Sequence, residues 1–315
     1  MSDPPPYPPP PYPPPPAEPP TGFAPEANNA NQDHPPRAFW AIIAAVVAVV
    51  VVVVAMVGYV VAGYTFTSSR ISDASGAIST ANAHRVYVNT TFDLLDHQVT
   101  AFGTSTDLTA AKSDAMELVN QSQTMSLTEV GDDQALASVR ARLNDQQWLT
   151  SLNRGRLTAE AGRLDHARNA VVTARTAAGD YVRLGQFLQA YVQVLTDWDM
   201  VSSDTANHDF VGAASADTSM QTDVTKALLA SAAPGLPAEF HDYLMALQSY
   251  SVDVGKFLNA IATQDPAALD AAGKLLTADT AKLDAVDFSA TPAQIKSYYQ
   301  RYRDNFNSEM DKANA

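Results

Sequence analysis

The chain has six histidines: His34, His84, His97, His166, His208 and His241. Five of them touch an aspartate in sequence, as Asp33-His34, Asp96-His97, Asp165-His166, His208-Asp209 and His241-Asp242. Carboxylate and imidazole both ligate zinc, so metal handling is the first chemistry these pairs suggest. The spacing opposes it, because adjacent residues on a helix face different ways. The sequence holds no H-E-x-x-H string and no paired E-x-x-H, so zincin and di-iron bundle signatures are missing. Asp93 and His97 do stand at i and i+4, but the apolar pattern around them turns that face outward.

Nucleophilic chemistry fares no better. With no cysteine, a disulfide framework, a cysteine–zinc site and a thiolate nucleophile are excluded. No G-x-S-x-G elbow and no glycine-rich phosphate loop occurs. Twenty basic against 34 acidic side chains give a net charge of −14, which opposes nucleic-acid binding. On these grounds we assign no catalytic, cofactor-binding or metal-ligating residue, and we expect no cofactor and no enzymatic activity. Two strings match the Pro-Pro-x-Tyr ligand of WW domains, Pro4-Pro-Pro-Tyr7 and Pro9-Pro-Pro-Tyr12. Within such a low-complexity tract, a spacer is the simpler reading.

The elements that would position such groups are set by proline and by one apolar run. Sixteen of the 20 prolines lie in the first 36 residues, and residues 37–233 contain none. Proline breaks helix interiors, so its absence there permits long helices. Residues 1–37 read as a disordered Pro/Tyr-rich tail of extended, solvated backbone. Residues 38–62 carry no charge, and a helix of that length covers ~37 Å, enough to cross a ~30 Å hydrocarbon core. A membrane helix is therefore expected over 38–64, with Trp40 at one interface and Tyr59, Tyr64 and Phe66 at the other. Small residues recur there at intervals of four (Ala41/Ala45, Ala44/Ala48, Gly58/Ala62), which would suit a homo-oligomer through this helix. Arg37 and Arg70 leave the flanking charge balanced. The tail is expected in the cytoplasm and the large domain outside the cell membrane, as for an uncleaved anchor behind a short tail. The layout of the first 65 residues resembles that of many actinobacterial membrane proteins with a Pro/Tyr-rich tail and one span. That resemblance implies no activity.

Beyond the span an all-α fold is expected: the membrane helix continues into an antiparallel multi-helix bundle. Residues 65–106 form a stalk and first bundle helix, and 107–315 the bundle proper. Ile71, Ile78, Phe92 and Val99 share one heptad column that Arg85 interrupts. Ala74, Ala81, Val88, Leu95 and Phe102 form the other. A second helix is expected from Asp107 to about Thr124, then a turn at 127–131, with Asp132 or Asp133 capping the next helix. Leu136, Leu143, Leu157, Leu164 and Val171 continue at steps of seven, while Gln146, Asn153 and Glu160 spoil the partner column. Either the helix is interrupted near Asn153-Arg154-Gly155 or that stretch is solvated. Arg140, Arg142, Arg154, Arg156, Arg163, Arg168 and Arg175 flank this seam. Pairing with acidic neighbours is the expected use, and an anionic ligand is the alternative.

Tyr181, Leu184, Leu188, Tyr191, Leu195 and Trp198 give a further seam. A 56-residue repeat then aligns Asn207-His208-Asp209-Phe210 with Thr263-Gln264-Asp265-Pro266, as duplicated αα-hairpins would. Pro234–Pro237 reads as a loop, Thr291 as an N-cap followed by Pro292 at the first helical position, and Ile295, Tyr299, Tyr302, Phe306 and Met310 as the buried face of the last helix. The functional expectation is a non-catalytic, membrane-anchored scaffold or binding protein of the cell envelope, with the bilayer and an unidentified protein as partners. A sensory module acting through a separate signalling protein and a metal-handling protein are the alternatives.

Overall fold

The computed structural model describes residues 37–104, 107–145 and 150–315, the side chains of 37–47 and 102–104 excepted. The tail, with His34 and both Pro-Pro-x-Tyr strings, lies outside the described residues, as do the side chains of Trp40 and Phe102. Two compact units divide the chain, Met1–Met56 and Val57–Ala315.

Among the described residues the fold is all-α. Its helices are α1 (Arg37–Thr104), α2 (Leu108–Leu143), α3 (Arg154–Ala206), α4 (Phe210–Ala230), α5 (Glu239–Thr263), α6 (Pro266–Asp284) and α7 (Thr291–Asn314). In this set α1 alone is long and apolar enough to cross a membrane, with a window of mean hydropathy 2.3. Its valines from Val49 to Val61 are 48–65% exposed. Further along α1, both heptad columns turn inward: Ala74, Ile78, Ala81, Val88, Phe92 and Leu95 are buried, and Ile71 and Val99 pack against them.

Contacts fix the helix directions. His84 meets Asp132, and Asp73 meets Arg142, so α2 returns antiparallel to α1. Arg140–Asp165, Asp133–Arg168 and Lys112–Gln193 set α3 antiparallel to α2. α7 is antiparallel to both neighbours, through Asp93–Arg303 and Arg85–Asp311 on α1 and through His166–Glu309 on α3. These four form one four-helix tier. α3, 53 residues long and so ~80 Å, continues into a second tier with α4, α5 and α6. There α5 runs parallel to α3, as the ring pairs Phe187–Phe240 (5.4 Å) and Trp198–Tyr250 (4.7 Å, stacked) require. Ala167, Ala170, Ala174, Ala177 and Ala178 are fully buried on α3. Such small side chains let helices approach closely. Gly185 is the tightest case: a Cβ there would stand 2.6 Å from Val119 Cγ2 on α2.

Three sequence expectations need correction. No turn occurs at 127–131, because α2 runs unbroken from Leu108 through Gly131 to Leu143. A glycine inside a helix costs ~1 kcal/mol, less than is gained by burying Met125, Leu136 and Val139 on one continuous face. Accordingly Asp132 and Asp133 cap nothing. Asp132 binds His84, and Asp133 binds Arg168 and Arg175. Last, Ala290 rather than Thr291 is the N-cap of α7.

The open question near Asn153 resolves as an interruption: α2 ends at Leu143, Asn144 and Asp145 form a turn, and a single 3₁₀ turn, Ser151–Asn153, precedes α3. The leucine column survives because Leu143 and Leu157 stand two heptads apart. Asp107, Asp209 and Asp265 each cap a helix through the side chain, as their positions predict.

Candidate functional site

Where the two tiers meet, four chain segments end or begin together. α1 reaches its last turns, α2 starts, α4 passes to α5, and α6 passes to α7. Helix ends pack less completely than helix faces, and an apolar cavity of about 220 Å³ opens there. Val99 of α1 and Leu108 of α2 form one side, Leu188 and Leu195 of α3 another, and Phe240, Phe288 and Ile295 close it. Its size exceeds the ~150 Å³ of cavities that accept benzene. Among the described residues no carboxylate, histidine, lysine or arginine lines it; the polar side chains are Tyr191 and Thr291. Burial raises the Tyr191 phenol above its ordinary range, and Tyr243 beside it adds to this. The lining can therefore hold an apolar ligand and orient it through the Tyr191 or Thr291 hydroxyl, and these described side chains offer no group for acid–base work at neutral pH.

Below the cavity lies a belt of tyrosines and aspartates. Tyr181 and Tyr299 stack with centroids 3.7 Å apart. Tyr181 donates to Asp96 (2.9 Å), and Tyr298 and Tyr302 both donate to Asp180 (3.0 and 2.9 Å). Tyr299 donates to the Pro234 carbonyl (3.0 Å) and so ties α7 to the α4–α5 loop. Desolvation raises Asp96, partly offset by the Tyr181 hydroxyl. Desolvation also raises Tyr181 and Tyr299 well beyond the ordinary phenol range. Such phenols stay protonated and act as donors, so the belt is a structural network. The sequence reading placed Tyr181, Tyr299 and Tyr302 on apolar faces but missed both aspartate acceptors. The one available signal was an acid, Asp180, beside the first residue of an apolar seam.

The histidine–aspartate pairs are drawn apart. Asp96 takes Tyr181 while His97 is exposed. Asp165 pairs with Arg140, and His166 with Glu309 (2.8 Å). Glu309 is held down at about 2, by Lys312 first and His166 second. His208 is the residue before the Asp209 cap, with φ 60°. His241 Nδ1 meets Ser231 Oγ at 2.9 Å, the one serine–histidine contact among the described residues. That hydroxyl donates to the Leu228 carbonyl (2.8 Å), so it offers the imidazole a lone pair. The pair closes the end of α4 and leaves the serine unactivated. No group of three histidine or acidic side chains among the described residues is arranged to hold a metal ion.

The arginines follow their expected structural use where partners are present. Arg140, Arg142, Arg163, Arg168 and Arg175 each pair with an acid. Glu129 is a buried acid whose carboxyl is pushed well above the ordinary carboxylate range. It is 1% exposed on α2, its Oε1 has no hydrogen-bond partner, and burial, then Asp132, pushes it up to about 8. No protein-family model, curated protein or solved structure matches the chain.

Proposed function

We propose that this chain is a non-catalytic single-pass membrane protein whose helical bundle is a binding module of the cell envelope. Helix α1 carries the reading. Nine valines between Val49 and Val61 are about half exposed, and keeping them in water costs on the order of 10 kcal/mol relative to an apolar phase. The same helix then supplies core residues to the bundle. In this reading the tail is cytoplasmic, the bundle lies outside, and the small residues of α1 allow a second copy to pack against it. Ser2→Cys and Ser203→Cys, each the sole thiol of its variant, test the topology with a membrane-impermeant reagent on intact cells. Labelling at 203 alone is expected, and labelling at 2 alone refutes the orientation. Crosslinking in native membranes is expected to recover the bundle with a protein partner; recovery of the bundle by itself refutes the binding role.

The cavity supports a second reading, a sensory module. Val99 belongs to α1, so an apolar ligand held there would touch the helix that forms the anchor. A thermal-shift screen of the full chain in nanodiscs, with small aromatics and short acyl chains as probes, tests this. A rise in melting temperature is expected, and a flat response across the panel refutes it.

A further inference from the structure

Between α2 and α3 the chain reaches back along α1, toward the apolar run. Arg142 pairs with Asp73, Arg70 donates to the Asp145 carbonyl, and Ser151 Oγ hydrogen-bonds Tyr59 at 2.9 Å. Each contact lies further down α1 than the last, and the final one is inside the uncharged run of residues 38–62. Tyr59 stands three residues before Ala62, ~4.5 Å along the axis. The run exceeds a ~30 Å core by ~7 Å, so this height is that of the headgroup boundary. At this level the chain presents Leu152, 67% exposed, beside Arg154 and Arg156, which are exposed and have no ion-pair partner among the described residues. Residues 146–159 contain two arginines and no acid, in a chain of net charge −14. A cavity of about 360 Å³ opens at the same place, lined by Arg140, Asn144, Ser151, Arg154 and Thr158.

We infer that the segment Ser151–Arg156 docks on the bilayer surface, with Leu152 in the acyl boundary and Arg154 and Arg156 against anionic phospholipid headgroups. An apolar side chain flanked by arginines at this depth follows the pattern of interfacial segments, whose apolar groups immerse while cationic heads stay at the phosphate level. Docking here makes a second attachment beside α1 and fixes how far the bundle stands from the membrane. The inference rests on the membrane reading of α1.

The absence of native cysteine allows a direct test. Leu152→Cys, Val53→Cys and Leu229→Cys are each spin-labelled in the full chain. Each is reconstituted in nanodiscs of phosphatidylcholine with or without phosphatidylglycerol. Collision with oxygen is compared with collision with a water-soluble nickel chelate. The expected oxygen-to-nickel ratio is high at 53, low at 229, and several-fold above the 229 value at 152. Arg154→Gln with Arg156→Gln is expected to lower the ratio at 152 in anionic discs and to leave 53 unchanged. A label at 152 as aqueous as that at 229, with 53 immersed, overturns the docking while sparing the anchor. A ratio at 152 that the double variant leaves unchanged in anionic discs overturns the role of the arginines. If 53 is aqueous as well, the anchor reading itself fails.

Discussion

Replacing Glu129 by glutamine isolates one buried proton. Glu129 is 1% exposed, one turn from Asp132 on α2, and its Oε1 has no partner. Burial first and Asp132 second raise it from 4.5 to about 8. At pH 7 the folded chain therefore holds a proton that the unfolded chain has released. Stability is greatest below pH 4.5 for this group, falls as pH rises, and levels off above about 8. Across that interval the loss is on the order of 5 kcal/mol, at 1.36 kcal/mol per pH unit. Glutamine has similar shape and does not ionise, so Glu129→Gln removes this slope. For a unit of this size 1 kcal/mol moves the melting temperature by roughly 2–4 °C. Thermal unfolding of the full chain in nanodiscs, followed by helical circular dichroism from pH 5 to 9, reads the effect. Wild type and variant should coincide near pH 5 and separate by about 10 °C at pH 9, with the variant higher. Parallel curves would show that Glu129 is solvated or paired in the folded chain, and the reasoning from burial would fail.

Three further outcomes are expected. Gly185→Ala brings a methyl 2.6 Å from Val119 Cγ2 and 3.2 Å from the Ala115 carbonyl, so it should cost about 1–3 kcal/mol; Val119→Ala in the same chain should recover part of that, and a melting comparison of the wild type with the single and double variants checks it. Asp209→Ala and Asp265→Ala each remove a side-chain cap, and each should lower stability by about 1 kcal/mol, additively in the double variant. Leu188→Trp points extra volume into the apolar cavity, so it should cost less than the ~1–3 kcal/mol usual for overpacking. It should also abolish any shift that an apolar probe gives, as measured by the same thermal assay.

Patterns local to one helix were legible in the sequence. The α1 columns, the seam from Tyr181 to Leu188 and the buried face of α7 all follow from a repeat near 3.5 residues, which needs no knowledge of the partner. The error at 127–131 arose from reading Leu-Thr-Glu-Val-Gly as punctuation. One glycine is a weak stop signal when the apolar face continues on both sides of it, as Met125 and Leu136 do here. The column from Leu136 to Val171 was right in register and wrong in continuity, because the connection between α2 and α3 preserves the heptad count. The Asp180–Tyr298 and Asp180–Tyr302 bonds join residues 118 and 122 positions apart. The cavity likewise depends on where four helix ends meet. Neither is encoded by any local period.

The 56-residue repeat has a backbone signature stronger than its sequence signature. His208 and Gln264 are the positive-φ residues other than glycine among those described, at 60° and 54°. Each carries the same closing bonds: His208 N–H to Thr205 O and Asp209 N–H to Asp204 O in one copy, Gln264 N–H to Ile261 O and Asp265 N–H to Ala260 O in the other. An aspartate cap comes next in both, and then a lysine–aspartate pair within the capped helix, Asp223–Lys226 and Asp279–Lys282. Helix α5 closes the first copy and opens the second, which is why it lies parallel to α3. The copies part at their second connection. After α4 the chain reverses through a loop in which Gly235 takes φ 82°, and a Cβ there would stand 2.7 Å from the Tyr298 ring. Residues 285–290 after α6 hold no glycine and no positive φ, and α7 runs on in the direction of α6. α7 runs between α1 and α3 and completes the four-helix tier. A left-handed residue thus turns the chain after α4, and the connection after α6 has none.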